Sequence, residues 1–330
     1  MNILVIGSEG FIGGYMVKAL LDMGHTVTGM DLTASGSGLR NYKYLQGDLM
    51  RPEDLAKAMT GVELVINLAA KHHDFGISRE EFFLINEEGT RRILEAMAHQ
   101  GIKKFIFYSS VAVYGEVSAC SSEATPLNPA NDYGESKLAA ERLIAQWLNE
   151  DASRQALVVR PAVVFGPNNY ANMYKLIDTI YKRRYISVGP GDNVKSACYV
   201  ENLVAMTVFL MEKMTPGLAV YNYSDYAHLT SQEVVDIIYA CLGRKPSRLR
   251  VPLKPVLVVT GVVDLLAKLT RINFPITANR IKKLNMRTCH GSDKVRALGF
   301  KQKITLEEGL KRMVRWYLEE CVKDTRDKKQ

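Results

Sequence analysis

The sequence predicts a doubly wound α/β fold, in which helices cover both faces of a parallel sheet. Three observations lead to this prediction. Short β-branched runs alternate with helical patterns up to about residue 160, a glycine-rich turn joins the first run to the first helical pattern, and the later part of the chain is mostly helical. Parallel neighbouring strands need crossover connections, which the alternating helices supply.

The alternation can be followed element by element through the first half of the chain. Strands are predicted from Asn2 to Ile6, Thr26 to Met30, Leu64 to Leu68, Lys104 to Tyr108 and Leu157 to Arg160, with a further strand ending before Gly47. Helices are predicted from Phe11 to Met23, Pro52 to Met59, Glu80 to Gln100 and Tyr133 to Glu150.

After Gly166 the regular alternation ends and helical patterns dominate. The sequence therefore predicts a sheet-bearing domain over residues 1–166 and a smaller, mostly helical lobe over residues 167–330, packed over the ligand edge of the sheet, with some segments returning to the sheet. The later helices are predicted near Tyr170 to Arg184, Asn202 to Lys213, Ser231 to Leu242, Val256 to Lys268 and Leu306 to Lys323.

Composition and cysteine usage indicate an ordinary globular protein, with 47% hydrophobic and 24% charged residues. No secretory leader is expected, because Met1 is followed at once by a strand pattern. The most apolar later stretch, Pro255 to Leu269, is too short and too charged to span a bilayer; an amphipathic helix is predicted, and contact with a membrane surface stays open.

The cysteines lack paired spacings and are expected to be reduced thiols in the cytoplasm: Cys120, Cys198, Cys241, Cys289 and Cys321.

The net charge of +8, from 43 Lys and Arg against 35 Asp and Glu, favours phosphate-bearing ligands through the summed surface field. The basic residues are dispersed, and no zinc-finger or RNA-binding pattern accompanies them. Nucleic acid is therefore not an expected partner.

Gly7, Gly10 and Gly13 are spaced G-x-x-G-x-x-G between the first strand and the first helix. Glycine permits a sharp turn and lets a pyrophosphate approach the helix N-terminus, where free N–H groups and the helix dipole favour negative charge. The motif, including Phe11 and Ile12, predicts a dinucleotide site.

Asp31 ends the second strand, where its carboxylate can accept hydrogen bonds from the adenosine ribose and repel a 2′-phosphate. NAD is therefore expected rather than NADP. A helix-cap or turn aspartate is the structural alternative. Asp48, with Leu49, follows the third strand near the expected adenine edge, although Asp48 could equally be a turn residue.

Tyr133 and Lys137 lie four residues apart, so both side chains emerge on one helical face. A lysine beside a tyrosine favours the phenolate, which can then act as a general acid and base. Ser109 and Ser110 directly follow the fifth strand, at the end where open α/β sheets place ligands. The three residues Ser110, Tyr133 and Lys137 are the predicted catalytic group.

In these motifs the sequence resembles the extended short-chain dehydrogenases/reductases, in particular the nucleotide-sugar epimerase/dehydratase group. Ordered matches run through nearly the whole chain. They comprise the Gly7 to Gly13 motif, Asp31, Gly47-Asp48-Leu49, Asn67-Leu68-Ala69-Ala70, Asn86 with Gly89-Thr90, Tyr108-Ser109-Ser110, Val113-Tyr114-Gly115, Tyr133 to Lys137, Arg160-Pro161, Gly166-Pro167, Tyr199 to Leu203, Leu298-Gly299-Phe300 and Leu306 to Gly309.

The resemblance implies roles for individual residues. Tyr133 would be the acid and base, Lys137 would also hold the nicotinamide ribose, and Ser110 would bond the reacting oxygen. Leu68, Ala69, Ala70, Ser109, Pro161 and Val163 would line the cofactor, and Lys71, Val111, Asn168 and Lys195 would contact substrate. A homodimer through the helices near Glu80 to Gln100 and Tyr133 to Glu150 is also implied.

Departures from the family pattern narrow the expected reaction. Dehydratases carry acidic residues after the serine, whereas this chain has Val111 and Ala112, so 4,6-dehydration is disfavoured. Lys195 replaces a frequent arginine, and a lysine supplies charge without a bidentate fork. The loop run His72-His73-Asp74 lacks the spacing of a metal site, so no metal is expected.

The sequence therefore predicts NAD-dependent oxidoreduction at a sugar carbon, most simply C4, of a nucleotide sugar, with a UDP-sugar favoured. Epimerase and 4-ketoreductase both fit. The alternatives are a hydroxysteroid-type dehydrogenase, and an NAD-binding sensor without turnover, which the Tyr133 and Lys137 pair disfavours.

Overall fold

The computed structural model describes residues 1–34, 38–72, 76–117, 119–246, 250–258, 260 and 285–322. Its centre is a seven-stranded sheet, whose strands, numbered in chain order, lie side by side as β11 (Gly217–Tyr223), β6 (Gln155–Pro161), β5 (Lys104–Tyr108), β4 (Leu64–Asn67), β1 (Asn2–Ile6), β2 (Thr26–Asp31) and β3 (Tyr42–Gln46). Every neighbouring pair in this sheet is parallel. The predicted doubly wound parallel sheet is confirmed.

The sheet strands and the helices between them follow one another in regular order. The strands are β1 (Asn2–Ile6), β2 (Thr26–Asp31), β3 (Tyr42–Gln46), β4 (Leu64–Asn67), β5 (Lys104–Tyr108), β6 (Gln155–Pro161) and β11 (Gly217–Tyr223). The helices of this part are α1 (Phe11–Asp22), α2 (Pro52–Ala58), α3 (Arg79–Phe82), α4 (Gly89–His99), α5 (Asp132–Asn149), α7 (Val200–Met211) and α9 (Asp293–Ala297).

Shorter strands and further helices make up the rest of the described chain. The short strands are β7 (Val163–Phe165), β8 (Ser187–Val188), β9 (Val194–Lys195), β10 (Ala197–Tyr199), β12 (Leu229–Thr230) and β13 (Arg250–Val251). The helices are α6 (Asn172–Tyr181), α8 (Ser231–Cys241) and α10 (Leu306–Trp316), the last continued by a π-helical turn over Tyr317–Val322. Of the predicted helix from Val256 to Lys268, only residues 256–258 and 260 lie within the described residues, and they are helical.

Two differences from the predicted elements affect the site. The helix expected from Glu80 to Gln100 is divided into α3, a π-helical segment over Phe83–Glu88, and α4. β11, expected only as a brief strand, has seven residues and pairs with β6 along its full length. Its alternation was not evident because it is buried only toward its end, at Asn222 and Tyr223.

The strands bury side chains on both faces of the sheet, as parallel strands do. On β1, Ile3 and Val5 belong to a cluster with α1 and α7, whereas Leu4 and Ile6 belong to a cluster with α2, α4 and α5. The sheet is thus covered on both sides, and its strand ends are left to form the site.

The chain divides into two compact units. The first consists of residues Met1–Val164, Cys198–Ser224 and His290–Lys303, and it holds the whole seven-stranded sheet. The second consists of Phe165–Ala197, Asp225–Cys289 and Ile304–Gln330. In the second unit α8 and α10 are in contact, and Tyr317 donates a 2.8 Å hydrogen bond to Asp178 of α6.

The expectation of reduced thiols is wrong for two of the five cysteines. Cys120 and Cys289 are disulfide-bonded, whereas Cys198, Cys241 and Cys321 are reduced thiols. Spacing rules could not find this bonding, because neither cysteine belongs to a short paired motif.

Among the residues that the structure describes, no helix is both long and apolar enough to cross a bilayer.

Candidate active site

The site begins where the order of the sheet reverses. From β1 the chain runs outward to β2 and β3 on one side, and it then crosses back to β4, β5 and β6 on the other side of β1. The crevice at such a point is where open α/β sheets bind ligands. Gly7 makes the turn out of β1, with φ of +83°. A Cβ on Gly7 would lie 2.7 Å from the backbone nitrogen of Ala69, so only glycine lets these two loops approach.

Gly13 closes the same turn from the side of α1. A Cβ on Gly13 would lie 2.0 Å from the carbonyl oxygen of Gly7, whereas a Cβ on Gly14 would meet nothing within 4 Å. The amide of Gly10 donates to the carbonyl of Gly7 at 3.2 Å. The turn therefore presents the N-terminus of α1, beginning at Phe11 and Ile12, to the crevice. This cradle fits a pyrophosphate.

Asp31 lies beside this turn. Its carboxylate accepts hydrogen bonds from the backbone amides of Glu9 and Thr33, both at 3.1 Å. It is partly exposed, which leaves lone pairs for a further donor. This position fits the ribose role that the sequence predicts, while the bond to Thr33 shows that Asp31 also orders its own turn.

Asp48 and Leu49 follow β3. The carboxylate of Asp48 accepts from the amide of Met50 at 2.8 Å, so this residue does serve as a turn aspartate. Leu49 is buried, and a Cβ on Gly89 would lie 2.4 Å from its methyl carbon. Leu49 thus packs against the start of α4, and its side chain offers little surface to a ligand.

The loop after β4 is held by two asparagines. The side chain of Asn67 accepts from the amide of Ala69 at 3.1 Å. Asn86, on the π-helical segment, accepts from the amide of Lys71 and donates to its carbonyl, each at 3.0 Å. Asn86 also donates to the hydroxyl of Ser136 on α5 at 3.0 Å. The loop of Leu68, Ala69 and Ala70 is thereby tied to the helix that bears Tyr133.

The start of α5 packs directly against the 3₁₀ turn over Val111–Tyr114. A Cβ on Gly134 would lie 2.5 Å from the carbonyl oxygen of Ala112, so the contact is between backbones. The side chain of Asn131 caps α5 by accepting from the amide of Gly134 at 2.9 Å. Tyr133 and the turn that begins at Ser110 are therefore neighbours, as the motifs predict.

The hydroxyl of Ser110 caps the 3₁₀ turn and keeps its hydrogen available as a donor. Its hydroxyl oxygen accepts from the amide of Ala112 at 3.1 Å and caps the 3₁₀ turn. That bond uses a lone pair of the oxygen and leaves the hydroxyl hydrogen for another acceptor. The cap therefore orients the oxygen without consuming its donor.

Lys137 is buried, with 2% of its surface exposed. Its ammonium donates to the carbonyl of Tyr108 at 2.8 Å and lies 4.8 Å from the ring centre of Phe107. Burial lowers the pKa of Lys137 to about 7, and the carboxylate of Glu141 opposes this effect. The ammonium has three donors, so its position is suited to a ribose hydroxyl and to a neighbouring phenolate.

The remaining predicted residues fall in both units. Pro161 is buried at the end of β6, and Val163, two residues later, is 52% exposed. Asn168 and Lys195 belong to the second unit. Asn168 is exposed, with φ of +68°, and burial lowers the pKa of Lys195 to about 8.

His72 lies in the described chain, whereas His73 and Asp74 lie outside it. Within the part of the chain that the structure describes, no group of three or more acidic, histidine or cysteine residues could hold a metal ion.

The sequence did not reveal one member of a buried ion pair beside Ser109. Glu141 and Arg160 form a salt bridge next to Ser109, and only Arg160 was noted, as a family match. The signal available for Glu141 was its position four residues after Lys137 on the same helical face.

Comparisons with known proteins agree with this geometry. The model of the NAD dependent epimerase/dehydratase family matches residues 3–223. The chain is 32% identical over 327 residues to the N-acetyl-alpha-D-glucosaminyl-diphospho-ditrans,octacis-undecaprenol 4-epimerase of Escherichia coli O157:H7, across 98% of this chain and 97% of that protein.

Two further matches mark the breadth of the similarity. The chain is 26% identical over 326 residues to the sterol-4-alpha-carboxylate 3-dehydrogenase, decarboxylating, of Mus musculus, across 94% of this chain and 89% of that protein. Its fold is similar to a crystal structure of UDP-glucuronic acid 4-epimerase from Bacillus cereus in complex with NAD. The TM-score is 0.78 and the identity 21%, across 97% and 99% of the two chains.

The predicted family, enzyme class and NAD cofactor are thus confirmed. The chain belongs to the NAD-dependent epimerase/dehydratase family of the extended short-chain dehydrogenases/reductases.

Proposed function

We propose that this protein is a 4-epimerase that inverts C4 of an N-acetylhexosamine linked through a diphosphate to a polyprenyl lipid. The observation that carries the proposal is the 32% identity to a lipid-diphosphate-sugar 4-epimerase across 98% of the chain. The packing of Tyr133 and Ser110 on touching elements, with Lys137 buried below them, supports proton transfer at a hydroxyl.

The chemistry follows from the residues in place. Bound NAD supplies the hydride acceptor and returns the hydride. Tyr133, as the phenolate, takes the proton from the C4 hydroxyl while Ser110 donates a hydrogen bond to the same oxygen. The Lys137 ammonium stabilises the phenolate electrostatically. Oxidation removes a hydride from C4 and a proton from its hydroxyl. Return of the hydride to the opposite face of the resulting ketone, with the proton returning to its oxygen, inverts the carbon.

The diphosphate is the part of the substrate common to lipid-linked and nucleotide-linked sugars. The protein has a net charge of +8, which favours such a ligand through the surface field. Lys195, partly buried on β9, is the proposed counter-charge. Val111 and Ala112 place no acid beside Ser110, so elimination of water from C5 and C6 lacks a catalyst here.

The substrate is tested by supplying two sugars separately to the purified protein. Undecaprenyl-diphosphate-linked N-acetylglucosamine and UDP-N-acetylglucosamine are each incubated with wild type and with Tyr133→Phe. We expect the 4-epimer from the lipid-linked sugar with wild type only. Conversion of the UDP-sugar alone would show that the substrate is nucleotide-linked rather than lipid-linked. Conversion of neither sugar would show that the proposed function is wrong.

The second candidate is a 4-ketoreductase, which uses the same residues but consumes NADH. Denaturing the purified protein and assaying the supernatant for NAD separates the two, because an epimerase recycles a retained cofactor.

A hydroxysteroid-type dehydrogenase is favoured only by the 26% identity to the murine sterol enzyme. Turnover of a 3-hydroxysteroid with net NADH formation would support it.

Homodimer formation and location complete the proposal. A dimer through α4 and α5 predicts twice the chain mass of 36.9 kDa by light scattering. A cytoplasmic protein is expected in the high-speed supernatant, and recovery with the membrane pellet would instead indicate surface contact.

A further inference from the structure

Glu141 and Arg160 form a buried ion pair next to the candidate active site. Their side chains are 9% and 5% exposed. The guanidinium donates from Nη2 to Oε2 at 2.5 Å and from Nε to Oε1 at 2.9 Å, which is a bidentate arrangement. Removing charges from water is costly, and a pair of this kind is weak evidence for stability alone. The place of the pair beside Ser109 therefore points to a role in the reaction.

The pair holds both ends of the turn that carries Ser110. At the first end, the hydroxyl of Ser109 donates to Oε1 of Glu141 at 2.5 Å. At the last end, Arg160 donates to the hydroxyl of Tyr114 at 2.7 Å. Tyr114 in turn donates to Asn222 on β11 at 2.8 Å. The backbone of the turn is therefore fixed by side-chain bonds on both sides of Ser110.

The same carboxylate faces the other half of the catalytic group. Tyr133, Lys137 and Glu141 follow one another at four-residue intervals on α5, so they lie along one face of the helix. Glu141 is the charged group that acts on Lys137, and its effect opposes the burial of the ammonium.

Other titratable groups lie on the elements around this face. From the sheet and the turn come Tyr108, Tyr114 and Arg160, and none of them is an anion at neutral pH. The carboxylate of Glu123 acts on Tyr114 and accepts from the backbone amide of Asn222 at 2.8 Å. On α3, the π-helical segment and α4, the paired charges lie at partly exposed positions: Arg79 with Asp132 and Glu135, and Arg91 and Arg92 with Glu88. The remaining titratable residues of these helical elements are Glu80, Glu81, Glu87, Glu95 and His99.

We propose that Glu141 is a positioning residue for the reaction, which with Arg160 fixes the turn of Ser110 and with its charge keeps Lys137 protonated. This inference rests on the proposed acid and base function of Tyr133. One buried ion pair then serves both the turn of Ser110 and the helix face of Tyr133 and Lys137. This role explains why a costly ion pair lies beside them.

Turnover should depend on pH through the protonation of Lys137. The active form needs the Tyr133 phenolate and the Lys137 ammonium together, so turnover is lost at alkaline pH when Lys137 loses its proton. Taking away the nearby carboxylate lowers the pKa of that ammonium, and the alkaline limb of the kcat profile moves to lower pH. The expected displacement is about one pH unit, as for a neighbouring opposite charge.

The test uses a variant designed to fold. Glu141→Gln alone leaves the buried guanidinium of Arg160 unpaired, which is strongly destabilising. The double variant Glu141→Gln with Arg160→Gln removes both charges and keeps an amide pair in their place. Glu141→Asp retains the charge with a shorter reach. Glu150→Gln is the matched control, because that carboxylate, at the C-terminal end of α5, also pairs with an arginine, Arg154, but is itself 65% exposed.

Two readouts are measured over pH for each variant: kcat, and the affinity for NAD, which Lys137 also serves. In the double variant we expect the alkaline limb of the kcat profile, and the pH at which NAD affinity is lost, to move down by up to about one unit, because loss of the Arg160 cation partly offsets loss of the carboxylate. The kcat should fall about tenfold because Ser110 is less firmly held. Glu141→Asp should keep the limb of wild type with a lowered kcat, and Glu150→Gln should match wild type in both.

A folded double variant with the wild-type limb and the wild-type NAD dependence on pH would overturn the inference. So would a displaced limb in Glu150→Gln equal to that in the double variant. The NAD readout needs no sugar. If wild type turned over no sugar at all, the proposed function would fail while the NAD readout still decided the role of Glu141.

Discussion

The two ends of the candidate active site are built in different ways. The cofactor turn is made of backbone: Gly7 and Gly13 matter because a Cβ on either would collide with a main-chain atom. The catalytic end is made of side chains, with the buried pair Glu141 and Arg160 bonded to Ser109 and Tyr114. Binding of NAD and transfer of the proton should therefore be separable by substitution.

The largest separation is expected from Tyr133→Phe. Loss of the phenol removes the general acid and base, and we expect kcat to fall by about 10²- to 10⁴-fold. The cofactor turn is untouched, so NAD should bind as in wild type. Stopped-flow turnover and calorimetric titration with NAD check the two halves. Equal loss of turnover and of NAD affinity would show that the ends are not separable.

The converse change is Gly13→Ala. The new Cβ meets the carbonyl oxygen of Gly7 at 2.0 Å, so the turn has to open, at a cost of about 1–3 kcal/mol in the free energy of unfolding. NAD affinity should fall with it. The matched control is Gly14→Ala on the same helix, where a Cβ meets nothing within 4 Å. If both variants bound NAD alike, the backbone cradle would not be the binding element.

A stability measurement sharpens the catalytic half. Burial holds the pKa of Lys137 at about 7, below its ordinary value of 10.5, so the buried ammonium costs stability at and below neutral pH. The cost decreases as pH rises from about 7 toward 10.5, because only the unfolded chain then remains protonated. We expect Lys137→Met to raise the free energy of unfolding of the NAD-free protein by about 2 kcal/mol at pH 6.

Urea unfolding at pH 6 and at pH 9 measures this gain, which should shrink at the higher pH. Lys18→Met, at an exposed position of α1, serves as the control and should change stability little. A Lys137→Met protein less stable than wild type at pH 6 would mean that the bonds to Tyr108 and Phe107 outweigh the cost of burial.

The smallest expected effect is at Asp31. Its carboxylate is fixed by the amides of Glu9 and Thr33 beside the glycine turn, where it would repel a 2′-phosphate. Asp31→Ala should improve the affinity for NADPH relative to NADH by about tenfold, which is about 1.4 kcal/mol. Fluorescence titration with both reduced cofactors measures the ratio. An unchanged ratio would assign the carboxylate to turn structure alone.

The same contrast explains how far the sequence could predict the molecule. The cofactor turn was predicted because a backbone constraint is written locally as glycine at Gly7, Gly10 and Gly13. The strands of the first half were predicted because most of them are short apolar runs: β4 is buried throughout, and β1 and β5 are buried at every position after the first. Ser110, Tyr133 and Lys137 were predicted from their spacing and from their place after the fifth strand, and the family resemblance added their roles. The structure places Ser110 and Tyr133 on touching elements.

The buried network could not be predicted in the same way. Glu141 bonds Ser109 across 32 residues, and Tyr114 bonds Asn222 across 108. No local period joins such residues, since they meet only because β5, β6, β11 and α5 converge. The π-helical segment that turns Asn86 toward Lys71 and Ser136 was missed for a related reason, because one extra residue in a helical turn leaves the apolar pattern almost unchanged.

A substrate deuterated at C4 shows whether the enzyme oxidises and re-reduces the same sugar carbon. In an epimerase that recycles its bound NAD, the deuteride leaves C4 and returns to it, so we expect an epimer that retains deuterium at C4 by mass spectrometry and NMR. An epimer that carries solvent or external-NADH hydrogen at C4, or a product in which C4 was never oxidised, would show that the proposed reaction is wrong.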